Sequence, residues 1–123
     1  MRMTVRRVKT YTAQTGYVYE YYFVGQRPAL DDDPLHPATE YIFDVSPDRK
    51  TMFAVSVFLL PRALDAFAAD HARTLSSPEQ YAAAKLCLLQ AFDETPNMLK
   101  DGRRLVLDAQ LLSALLQSVG IDG

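Results

Sequence analysis

The sequence predicts an α+β domain: a mostly antiparallel sheet in the order β-β-β-β-α-α-β-α, with helices packed on one face. Three observations carry this reading. Up to about residue 60 the chain falls into segments that alternate in polarity with the two-residue period of strands, separated by turn-forming clusters. Beyond Pro61 apolar residues recur at helical spacing instead, and strands followed by helices point to the α+β class. The chain has 123 residues, 49% hydrophobic and 23% charged, which suits a single domain over 1–123 with one core.

Val5 to Ala13 reads as a first strand with basic residues interleaved, the pattern of an exposed edge. "AQTG" closes a turn at Gly16, making the first two strands a hairpin. In the second strand, "YVYEYYFV", side chains alternate between faces. Tyr17, Tyr19, Tyr21 and Phe23 share one face, and Val18, Glu20, Tyr22 and Val24 share the other. Glu20 makes the second set the outward or interface-facing side and the aromatic ladder the core side. "GQRPALDDDPLHPA", from Gly25 to Ala38, breaks the alternation with three prolines and reads as a long loop. Thr39 to Val45 is a third strand with one buried and one wetter face, "SPDRK" is a turn, and Thr51 to Leu59 is a central fourth strand.

Pro61 suits the first turn of a helix carrying Leu64, Phe67, Ala68 and His71 on one stripe. "SSPEQ" then reads as a capping box with Ser77 as N-cap, Pro78 at N1 and Gln80 at N3. The helix it opens runs to about Asp93, with Pro96 and Asn97 ending it. "GRRLVLD" is a short fifth strand. Asp108 caps a last helix striped by Leu111, Leu112, Leu115, Leu116 and Val119 and closed at Gly120.

Cys87 is the only cysteine, so no intrachain disulfide forms and a disulfide-framework domain is excluded. The first residues lack the apolar run of a signal peptide, and no segment has the roughly 18 continuous apolar residues of a membrane span. These features together suggest a cytoplasmic protein. The net charge of −2 gives no general attraction to nucleic acid or anionic lipid.

No catalytic, cofactor or metal signature stands out. The loop acids Asp31, Asp32 and Asp33, with His36 and Glu40, lack the glycine and terminal glutamate of a calcium loop and the ligand spacing of a zinc site. They read as a solvated acidic loop. The five scattered glycines form no phosphate cradle. Cys87 sits in mid-helix, where a thiol is normally a small buried hydrophobe. His71, at a helix end, is explained by the dipole without catalysis. "GYVYEYYF" matches an RNA-recognition strand only in part. Thr15 stands where a cation belongs, and Glu20 would repel phosphate.

The chain therefore reads as a non-enzymatic interaction module without cofactor, a homodimer or protein-binding domain using the aromatic strand and the proline-rich loop. Tyr17, Tyr19, Glu20, Tyr21 and Tyr22 are its candidate binding residues. The alternative is a small-molecule-binding or hydrolytic protein, its pocket lined by Tyr17, Tyr19 and Tyr21 with His71 or Glu20 as polar group. Weak binding of single-stranded nucleic acid comes third.

Overall fold

A computed structural model describes residues 7–30 and 34–120. Its strands are β1 (Lys9–Thr12), β2 (Val18–Ala29), β3 (Ala38–Ser46), β4 (Phe53–Leu59) and β5 (Arg104–Leu107). The helices are α1 (Pro61–His71), α2 (Ser77–Glu94), α3 (Met98–Asp101) and α4 (Ala109–Ser118). The five strands form one sheet in chain order, antiparallel from β1 to β4, with β5 parallel to β4. A parallel neighbour needs a crossover, and α1, α2 and α3 supply it. The α+β class and the mostly antiparallel sheet follow the sequence. No helix among the described residues is long and apolar enough to cross a membrane.

All the rings of the ladder that are buried lie under the helices. Tyr19 stacks on Phe92 of α2 with centroids 4.1 Å apart, and Tyr21 meets the same ring at 5.8 Å. Phe23 packs edge-on against Tyr81 of α2 at 4.9 Å. Tyr41, Phe43, Val45, Val55, Val57 and Leu107 complete that side of the sheet, all essentially without exposed surface. Tyr17, at the end of the ladder, is 48% exposed.

The loop expected from Gly25 to Ala38 begins as strand. β2 continues to Ala29, and Gly25 through Ala29 pair with Ile42 through Ala38. A register shift between Phe23 and Gly25 erases the alternation that would have revealed the continuation. Pro28 is tolerated because this half of β2 has no neighbour on its other side among the described residues, so its N–H-less nitrogen faces outward. Only 30–37 connects the strands, and Asp31, Asp32 and Asp33 lie outside the described residues, as do Arg2, Arg6 and the start of the expected first strand.

The capping box sits one residue earlier than the sequence suggested. Ser76 is the N-cap, Pro78 falls at N2, and Glu79 is the N3 partner. Ser76–Glu79 and Ser77–Gln80 have the same spacing, so the pattern alone does not choose. The Glu79 carboxylate chooses: it accepts from the Ser76 N–H at 2.9 Å and forms a two-point pair with Arg73. Asp108 caps α4 as expected, its Oδ1 accepting from Leu111 N–H. The four-residue α3 was not anticipated.

Candidate functional site

Helices cover one face of the sheet only. On the opposite face the register sets side chains in rows across the strands: Arg27, Glu40, Phe58 and Val106; then Gly25, Ile42, Ser56 and Arg104; then Tyr22, Asp44 and Ala54; then Glu20 and Ser46. Val18 and Val106 are 45% and 51% exposed here, whereas Tyr19, Tyr21 and Leu107 on the helix side of the same strands are buried.

Two polar bands cross this face. Glu40 accepts from Arg27 Nε at 2.9 Å and from the Ser56 hydroxyl at 2.6 Å. Burial alone would raise its pKa. The hydrogen bonds from Arg27 and Ser56 outweigh that, as do the charges of Arg27 and Arg104, and they hold the carboxyl below the ordinary range. The Arg104 guanidinium carbon sits over the Phe58 ring, 4.0 Å from its centroid, and Phe58 is only 6% exposed. In the second band the Tyr22 hydroxyl donates to Asp44 at 2.7 Å, and Arg49 lies 3.6 Å from Glu20.

Among the described residues, Arg27 and Arg104 outnumber Glu40 at one end of the strands, and Glu20 and Asp44 outnumber Arg49 at the other. The face is thus apolar in part, fixed in its charges, and opposite in sign at its two ends. Glu40, held ionised by two arginines, is a fixed acceptor and has no proton to donate at neutral pH.

The residues singled out from sequence are dispersed over the molecule. Glu20 and Tyr22 lie on the helix-free face, while Tyr19 and Tyr21 lie under α2. Burial raises the phenol pKa of both buried tyrosines. Tyr17 and Tyr19 line a cleft of about 300 Å³ with Pro47, Phe53, Pro96 and Met98, at the end of the sheet. His71 stacks on Phe67, centroids 4.3 Å apart, in a separate groove between α1 and α4 bordered by Asp70, Ser113 and Gln117. The structure therefore does not gather Tyr17, Tyr19, Tyr21, Glu20 and His71 around one pocket. Cys87 is buried and far from a thiolate, its pKa pushed up to about 11 by burial and then by the charge of Asp108. No three His, Cys, Asp or Glu side chains among the described residues converge as metal ligands.

Sequence reasoning missed Arg27, Glu40, Ser56 and Arg104 as a group. Arg27 was hidden inside the expected loop, and Glu40 was grouped with the loop acids. Comparison with protein-family models, curated proteins and solved structures found no match to this chain.

Proposed function

We propose that this protein is a non-enzymatic interaction module that self-associates through the helix-free face of its sheet. The observation that carries the reading is the one-sided cover of a five-stranded sheet whose open face changes sign from end to end. Five strands ~4.8 Å apart and about seven residues long give a flat footprint on the order of 500–600 Å². Side-chain relief adds to that, bringing the face close to the roughly 800 Å² per partner of a standard interface.

The occupant that fits is a second copy. A two-fold axis lying in the interface, across the strands, reverses the strand direction of the partner. The Arg27–Arg104 end of one copy then meets the Glu20–Asp44 end of the other, with Ile42 and Tyr22 near the centre. Edge pairing through β2 is disfavoured by the register shift after Phe23 and by Pro28, both of which blunt an edge. β2 thus serves self-association through its Val18, Glu20 and Tyr22 face, and its buried rings hold that face flat against the core.

Sedimentation velocity from about 5 to 500 μM tests this. The wild-type chain is expected to dimerise within that range. Ile42→Asp shifts the midpoint upward at least tenfold. Arg27→Glu does the same, and adding Glu20→Arg restores association, since the axis sets opposite ends of β2 against each other. A wild-type chain monomeric at 500 μM in low salt, or a double charge swap no better than the single one, overturns the proposal.

A further inference from the structure

The sheet has a second exposed feature, at the β5 edge. Ser56 N–H donates to the Arg103 carbonyl at 3.0 Å, and Leu60 N–H to the Leu107 carbonyl at 3.3 Å. Residues 103, 105 and 107 therefore turn their backbone groups toward β4. By alternation, Arg104 and Val106 turn theirs outward, where the sheet has no further strand among the described residues. Unlike the free half of β2, this edge carries neither proline nor register shift.

A cleft of about 270 Å³ runs beside the edge on the helix side, lined by Cys87, Gln90, Ala91, Glu94, Leu105 and Leu111 among others. Gln90 holds the one buried side-chain polar atom without a hydrogen-bond partner among the described residues, its Oε1. The amide orientation is decided, because Nε2 donates to the Glu94 carboxylate at 3.0 Å. Flipping it would set two oxygens against each other. The orphan oxygen is buried and therefore costs the protein stability. Glu94 borders the cleft and is exposed. Cleft and rim are thus apolar and negatively biased.

We propose that the β5 edge and this cleft dock an extended peptide segment carrying a lysine, its backbone pairing with Arg104 and Val106 and its ammonium reaching the exposed carboxylate of Glu94. Alternate side chains of an added strand point to the helix side, so one position in two enters the cleft. The lysine stem runs along Ala91, Leu105 and Leu111, and its charged head meets Glu94. This site is distinct from the helix-free face and does not require self-association.

The test uses a capped TVKVT pentapeptide and its TVEVT counterpart, titrated into the isotopically labelled full chain and followed by NMR. TVKVT is expected to move the Arg104 and Val106 amides and the Gln90 side-chain amide, and to bind at least tenfold more tightly than TVEVT. Val106→Pro removes an outward N–H while sparing the β4 pairing and abolishes binding with the circular dichroism spectrum unchanged. Glu94→Gln weakens TVKVT binding about tenfold, yet leaves the thermal midpoint of the free chain nearly unchanged. Equal binding of the two peptides, shifts confined to the helix-free face, or a Glu94→Gln chain that binds TVKVT normally would each overturn the proposal. A chain that binds TVKVT while remaining monomeric separates this site from the self-association reading.

Discussion

Replacing Tyr19 and Tyr17 by alanine, one at a time, asks a single strand for two different answers. The residues are two apart on the same ladder and their rings are 6.0 Å apart, but Tyr19 is 1% exposed and Tyr17 is 48% exposed. Burying a ring of this size removes roughly 150 Å² from water, about 4 kcal/mol at 25 cal/mol per Å². The stacked contact with Phe92 adds about 1 kcal/mol, and partial collapse of the cavity returns some of the total. Tyr19→Ala should therefore cost about 3–5 kcal/mol, and Tyr17→Ala about 1 kcal/mol or less. Against a total stability of about 5–15 kcal/mol, the first change removes a large share of the folded population's margin. Urea unfolding followed by far-ultraviolet circular dichroism measures both. Tyrosine emission provides a second probe, since the chain has seven tyrosines and no tryptophan. The slope with denaturant should stay unchanged while the midpoint falls. Equal losses for the two variants, or a loss below about 1.5 kcal/mol for Tyr19→Ala, would refute the assignment of the ladder to the core.

Three further outcomes are expected. Glu79 is held at about 2 by Arg73 and the Ser76 N–H, against an ordinary 4.5, and Glu40 is lowered in the same direction. Depressed folded-state values contribute stability above the unfolded pKa that is lost as pH falls, so thermal midpoints should drop from about pH 4.5 toward pH 2, less steeply in Glu79→Gln. Cys87, with its thiol pushed up to about 11, should resist alkylation at pH 8 in the folded chain and react promptly once urea unfolds it, as mass spectrometry would record. At Gly102 a methyl group would run into Met98 Sδ and Cε, and Met98 is 2% exposed, so Gly102→Ala should cost about 1–3 kcal/mol by denaturation, relieved by Met98→Ala in the same chain.

Much of the fold was legible because its signals are local. Parity along "YVYEYYFV" separated the buried ladder from the face with Glu20, and Asp108 marked the start of the last helix. Where local signals conflict, the sequence misleads. The register shift after Phe23 and the proline at 28 look like a loop, because a strand's period is visible only while its register is unbroken. Two serines with equally spaced acceptors left the cap undecided until Arg73 joined Glu79. The parallel placement of β5 was within reach, since a strand that returns after helices must cross over to lie beside its predecessor. The candidate surfaces were far less legible. The Glu40 cluster draws on four strands, and the orphaned oxygen of Gln90 depends on helix packing against an edge. The constraint at Gly102 is likewise tertiary, set by Met98, since the backbone there does not require glycine.

The two proposed surfaces meet at Arg104. Its backbone groups face the open edge, while its guanidinium lies over Phe58 on the helix-free face and supports the charge on Glu40. A strand added to β5 would extend the sheet from five strands to six and widen the open face by one strand spacing, ~4.8 Å. It would also fix the backbone that carries Arg104 and so order the guanidinium at the basic end of the face. Self-association and peptide docking are then linked in free energy, and the linkage is reciprocal. Saturating TVKVT should tighten dimerisation, and dimerisation should tighten TVKVT binding by the same factor. Arg104→Ala keeps the outward backbone groups but removes the shared side chain. It should leave peptide binding within about twofold and erase the coupling. If coupling survives in that variant, the two surfaces communicate by another route and Arg104 is not their junction.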